Sequence, residues 1–151
     1  MKAIIQRVSR AKVTVDSRIT GEIQAGILVL LSVGKQDTNI DADYLADKIA
    51  ELRIFEDKDG KMNLSISESK GDFLVVSQFT LHGNCEKGRR PSFDAAAEPK
   101  MAEDLYNYFI EILRRKNFKV QTGQFASMMD VELTNDGPVT FILESPSEKN
   151  N

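Results

Sequence analysis

The sequence predicts an α/β protein built as two stacked β-sheets with helices packed on one outer face. Strand-like runs recur along nearly the whole chain, while only two stretches carry a substantial helical period. Two helices cannot cover both faces of so many strands, so a second sheet must cover what the helices leave open. At 151 residues the length is that of one domain. A chain of this size buries roughly two-thirds of its unfolded surface and needs no disulfide or metal staple. The expected organisation is one domain over 1–145 and a frayed polar tail over 146–151.

The elements follow in order. Residues Ala3 to Val15 alternate with a period of two, interrupted at Ser9-Arg10, and read as a strand. A short strand surrounds Gly21, from Ile19 to Ile23. Ile27 to Val33 is almost continuously apolar, as in a strand covered on both faces. The cluster Asp37-Thr38-Asn39-Ile40-Asp41 offers side-chain oxygens to cap a helix, and Tyr44, Leu45, Ile49 and Leu52 follow at helical spacing. Asp57-Lys58-Asp59-Gly60 is a turn; it lacks the bidentate Glu of a Ca²⁺ loop. Phe73 to Val76 is a second buried strand running into Ser77-Gln78-Phe79-Thr80-Leu81, and residues 82–93 form a long basic loop. Pro99 sits in the first turn of a second helix, with Met101, Leu105, Tyr108, Phe109, Ile112 and Leu113 on one face. Arg114-Arg115-Lys116 close it, where cations suit the helix dipole. Three late strands are expected: near Phe118 to Thr122, Met129 to Thr134 and Val139 to Leu143.

Composition narrows the function. Twenty basic and 23 acidic residues leave a net charge of −3, which excludes a wholly basic nucleic-acid coat but permits a local contact with RNA. One Cys and one His cannot form an internal disulfide or a His/Cys zinc site, so neither metal nor cofactor is expected. The longest apolar run, Ile27 to Leu31, is far below the ~20 residues of a membrane span. The first residues show no signal-peptide pattern. A cytoplasmic protein with no membrane partner is expected.

Nucleophilic triads are poorly supplied. His82 is the one imidazole, and it shares a strand face with Thr80 only if the strand persists that far. Otherwise it is an ordinary loop histidine. Cys85 lies in a loop among charged residues and reads as a plain loop cysteine. Two stretches stand out instead. In Ser77-Gln78-Phe79-Thr80-Leu81 a hydrophobic strand ends in three hydrogen-bonding side chains around one aromatic. Strand ends beside loops commonly carry sites, although a polar strand rim fits the same residues. In Asn135-Asp136-Gly137-Pro138-Val139-Thr140 a Gly without a Cβ precedes a Pro without an N–H. Taken alone, this reads as a trans turn between two strands. Lys87-Gly88-Arg89-Arg90 is favoured over the helix-end cluster as a ligand-facing basic element.

Together the two stretches resemble the signature motifs of the D-aminoacyl-tRNA deacylases. Met1 to Val8 resembles that family's first strand, Lys87 to Phe93 matches in order and spacing, and the resemblance covers about residues 1–145. One departure is visible: the family usually has Phe-Gly-Ala-x-Met where this chain has Phe125-Ala126-Ser127-Met128-Met129. The resemblance implies an enzyme that hydrolyses the ester between a D-amino acid and the terminal adenosine of tRNA, and also removes mischarged glycine. It implies a homodimer, a two-sheet core, no cofactor, and a cis Gly137-Pro138 peptide inserted into the partner's pocket. Gln78, Phe79 and Thr80 become the catalytic positions, with the N–H groups near Phe79 and Thr80 stabilising an oxyanion. Ser77, Met129, Gly137 and Pro138 become substrate-binding positions, and Arg7 is expected to hold the Gly137 and Pro138 carbonyls. The alternatives are a related deacylase with a trans Gly-Pro, a non-catalytic module binding the tRNA 3′ end, and a dimeric scaffold with no RNA role.

Overall fold

In the computed structural model, which describes residues 1–146, the chain runs through eight strands and three α-helices. The strands are β1 (Lys2–Val15), β2 (Arg18–Ile23), β3 (Gly26–Ser32), β4 (Phe55–Glu56), β5 (Met62–Leu64), β6 (Asp72–Ser77), β7 (Val120–Thr122) and β8 (Asp130–Glu144). The helices are α1 (Asn39–Glu51), α2 (Ile66–Ser69) and α3 (Pro99–Arg115), and a 3₁₀ turn spans Phe79–His82. Apart from Pro146, the expected polar tail lies outside the described residues. Ser145 is no part of a frayed end: it is buried, and its backbone N–H donates to the Met1 carbonyl.

The α/β class holds, but the layering differs from two separate stacked sheets. Six strands share one hydrogen-bonded sheet, ordered β2-β1-β3-β6-β7 with β8 also paired to β1, and only the small β4–β5 pair stands apart. The sheet curls until its ends meet. A Cβ on Gly21 of β2 would lie 2.3 Å from the Thr122 carbonyl oxygen of β7, so only glycine admits this approach. Inside the curl lie Val13, Ile23, Leu28, Leu74 and Val76. On the outer face, Ile5, Ile27, Val29, Phe73 and Val75 pack with Leu45 and Ile49 of α1 and Phe109 and Leu113 of α3. One curled sheet therefore supplies both layers, because β3 and β6 have apolar side chains on both faces.

Strand β1 makes the curl possible. Its first half lies between β3 and β8 and its second half between β2 and β8. The β1–β8 register shifts between Gln6 and Val8 and again between Val8 and Arg10. A one-residue slip exchanges the faces of a strand. Ala3 and Ile5 accordingly face the helices, while Ala11 and Val13, of the same parity, face the inner core. The break at Ser9-Arg10 in the sequence pattern marks this change.

Helix α1 starts at Thr38, whose N–H donates to the Asp41 carboxylate at 2.8 Å, and Pro99 opens α3 as expected. Two expectations fail locally. Strand β6 stops at Ser77 and the chain turns into the 3₁₀ segment, so 78–81 is not strand. Residues 130–144 form one strand rather than two, with Gly137-Pro138 carried in an irregularity of the β1–β8 ladder. Pro without an N–H is tolerated here because β8 pairs on one side only.

Candidate active site

The Phe79–His82 turn projects from the end of β6 beside the end of β3. Three bonds seat it. The Gln78 N–H donates to the Leu31 carbonyl at 2.8 Å, and Ser32 Oγ reaches the Phe79 carbonyl at 3.3 Å. His82 Nδ1 lies 2.6 Å from the same Ser32 hydroxyl. Inside the turn the N–H groups of Leu81 and Gly83 are bonded to the Gln78 and Thr80 carbonyls. Among the described residues none of these bonds employs the N–H groups of Phe79 or Thr80, which stand at the open start of the turn. The Phe79 ring is 55% exposed and meets Phe93 edge-on at 5.1 Å.

The side chains of this turn offer no accessible nucleophile–base pair, because the hydroxyl that meets His82 belongs to Ser32, which is 1% exposed. Gln78 Nε2 donates to Thr80 Oγ1 at 2.5 Å. A carboxamide N–H cannot take a proton, so Gln78 orients the Thr80 hydroxyl without activating it. His82 is engaged with Ser32 instead of Thr80. Burial pushes the His82 pKa down, against the pull of Asp37, so the ring is neutral at pH 7. Among the described residues no three His, Cys, Asp or Glu side chains converge to hold a metal ion. Cys85 is exposed in the loop.

The second stretch is a braced protrusion. The Gly137–Pro138 peptide is cis, not the trans turn that the residues suggest on their own. Gly137 has φ +149°, a region open to glycine. Asn135 clamps the loop from behind: its Oδ1 accepts the Val139 N–H at 2.7 Å and its Nδ2 donates to the Val139 carbonyl at 3.2 Å. Arg7 is buried and joins two segments, with Nε donating to the Asp136 carbonyl at 2.9 Å and an NH1 nitrogen donating to the Ile54 carbonyl at 2.8 Å. The expected Arg7 bonds to the Gly137 and Pro138 carbonyls are therefore corrected to one bond on the preceding carbonyl. The plain reason is register: Arg7 sits in the gap of the β1–β8 ladder. Gly137 and Pro138 themselves remain exposed.

Within the chain these two regions do not meet. Ser77, Leu31, Ala3 and Leu143 lie in one row across four adjacent strands, and Gly137 is six residues further along β8. Strand geometry puts Gly137 roughly 20 Å or more from Ser77. Met129 is partly buried against the inner core, its sulfur 2.7 Å from where a Cβ on Gly123 would lie. Ala126, the visible departure, adopts φ +58°. Sequence reasoning passed over Ser32. Its signal was a lone hydroxyl in the apolar run Ile27 to Val33.

Free backbone donors beside a strand end, with no accessible nucleophile–base pair among the described residues, suit an esterase that acts on an already reactive acyl group. The same mixed α/β fold occurs in solved deacylase structures: a probable eukaryotic D-amino acid tRNA deacylase superposes with a TM-score of 0.82 at 16% identity, over 95% of this chain and 98% of that one. The profile of a family described as D-Tyr-tRNA(Tyr) deacylase matches residues 4–144. The D-aminoacyl-tRNA deacylase of Koribacter versatilis (strain Ellin345) is 57% identical over 98% of this chain and 99% of its own length. That of Geotalea uraniireducens (strain Rf4) is 60% identical over 99% and 96%. A solved structure described as c-Myc DNA Unwinding Element Binding Protein is 42% identical with a TM-score of 0.91, over 97% of this chain and 100% of that one. The chain belongs to the D-Tyr-tRNA(Tyr) deacylase family and is a hydrolase.

Proposed function

We propose that this enzyme hydrolyses the ester joining a D-amino acid to the 3′-terminal adenosine of tRNA, releasing free D-amino acid and tRNA, and that it clears glycine from mischarged tRNA in the same way. The observation that carries this reading is the pair of N–H groups at Phe79 and Thr80 that find no acceptor among the described residues. Water adds to the ester carbonyl, these donors stabilise the resulting oxyanion, and the ribose oxygen leaves with a proton. The ribose 2′-OH of the substrate assists the water. Losing one such donor costs ~3 kcal/mol of transition-state stabilisation in hydrolases generally. Thr80 positions substrate or water; the lack of a base beside it disfavours a covalent role. Thr80→Ala is expected to retain measurable single-turnover hydrolysis. Complete loss with intact tRNA binding would establish Thr80 as the nucleophile.

Stereochemical selection rests on Gly137-Pro138. Their carbonyls crowd an L side chain and accept the amino group of the D substrate, so L esters are rejected by exclusion. The separation from Ser77 within one chain supports a homodimer in which each copy presents this dipeptide to the other's Phe79 turn. Further support comes from β8, an edge strand with Ile142 75% exposed, which a second copy would cover. Ser77, Phe79 and Met129 line the pocket in this reading, within one domain over 1–145. The substrate assigns the reaction to the cytoplasm. Asn135-Asp136 before the Gly-Pro favours this reading over the related deacylase with a trans Gly-Pro.

The test is release of the amino acid from D-Tyr-tRNA and L-Tyr-tRNA compared side by side. Rapid release of D alone is expected, with a shallow salt dependence of about two to four phosphate contacts. Tight binding of nucleic acid without ester release would instead favour a non-catalytic module.

A further inference from the structure

We propose that Ser32 and His82 are positioning residues that lock the Phe79–Thr80 peptide with its N–H turned outward to the substrate. This rests on the reading of that N–H as an oxyanion donor. The Phe79 carbonyl and the Thr80 N–H belong to one peptide unit. In a trans peptide the two point in opposite directions. Gly137–Pro138 is the only cis bond among the described residues, so the Phe79–Thr80 unit is trans. Whatever holds the Phe79 carbonyl against the end of β3 therefore aims the Thr80 N–H away from it.

Ser32 is that holder. It is 1% exposed, one of only three buried polar or charged residues among those described. Its single hydroxyl proton has two neighbours, the Phe79 carbonyl at 3.3 Å and His82 Nδ1 at 2.6 Å. A carbonyl can only accept. Both contacts are satisfied in one arrangement: His82 carries its proton on Nδ1 and donates to Ser32 Oγ, and Ser32 donates to the Phe79 carbonyl. The seat for the imidazole is built for it. A Cβ on Gly34 would lie 2.9 Å from His82 Nε2, so the bare Gly34 backbone makes room for the ring. His82, three residues beyond Phe79, thus ties the far end of the turn to the same hydroxyl that holds its start.

His82 is the protein's one histidine, so nitrogen-15 NMR of histidine-labelled enzyme reads its tautomer without ambiguity. The expected wild-type signal is a neutral ring protonated at Nδ1, lost in Ser32→Ala. A wild-type ring protonated at Nε2 would overturn the relay. In single-turnover and steady-state hydrolysis of D-Tyr-tRNA, Ser32→Ala is expected to lower kcat about tenfold, less than outright loss of a donor, with KM within about twofold. His82→Ala should lower kcat similarly. His82→Asn, whose amide can donate from the Nδ1 position, should recover most of the loss, and Ser32→Ala combined with His82→Ala should lose no more than Ser32→Ala alone. A folded Ser32→Ala enzyme with wild-type kcat overturns the role. A wild-type enzyme that releases no D-tyrosine removes the proposed function and this role with it, while the tautomer measurement still reports on the relay.

Discussion

The Phe79 turn and the Gly137-Pro138 loop are fastened in opposite ways. The turn is tied down from below, through Leu31 and Ser32 at the buried end of β3, and it leaves its first two N–H groups open. The loop is braced from behind, by the Asn135 carboxamide and the buried Arg7 guanidinium, and it leaves its tip open. One region rests on the core, the other on an edge strand with a free side. A site intended for use within one chain would bring them together, but the sheet register holds them apart. The contrast is the one the proposed function needs: a turn that receives a reacting group and a loop that a second copy can use.

The strongest way to break this contrast is to remove the brace. Arg7→Ala leaves the Ile54 and Asp136 carbonyls without their donor in a buried site, and a loss of about 3 kcal/mol is expected in denaturant titration. A loss under about 1 kcal/mol would mean that the loop is held by Asn135 alone. Next comes Pro138→Ala, which should shift the L-to-D hydrolysis ratio by at least about tenfold, or ~1.4 kcal/mol, while changing folding stability less. Unchanged selectivity would dissociate the loop from the chemistry. Ala126→Gly should stabilise the entry to β8 by about 1 kcal/mol, because Ala126 has a left-handed φ of +58° that glycine adopts freely. The smallest effect concerns the turn. Burial lowers the His82 pKa while Asp37 and Glu144 oppose it and Lys2 and the N-terminal amine reinforce it. The fold thus favours the neutral ring. This stabilisation is present above pH ~6.5 and is lost as pH falls through that value toward the lower folded one. Thermal melts from pH 7.5 to 5 should show the loss in the wild type, and a smaller one in His82→Asn.

Much of the site was legible before folding. Ser77 to Leu81 and Asn135 to Thr140 declare themselves by polar residues and a Gly-Pro where apolar strands should continue. Their chemistry did not follow from residue type alone. The peptide geometry at Gly137-Pro138 entered through resemblance, and the partner of Arg7 shifted by one carbonyl because of a register slip that periodicity cannot count. Ser32 was hidden because a lone hydroxyl in an apolar strand carries no local sign of what lies across from it.

By itself the sequence determined the class of fold, the two long helices α1 and α3 with their start signals, the buried strands β3 and β6, and the positions of the two motifs, but not the short helix α2. These depend on local period, capping and turn chemistry, all of which act within a few residues. The tertiary structure alone decided that one sheet curls until Gly21 meets Thr122, and that Ser32, His82 and Phe79 share a hydroxyl. Those outcomes join residues tens of positions apart. They depend on strand register and close packing, which no single segment carries.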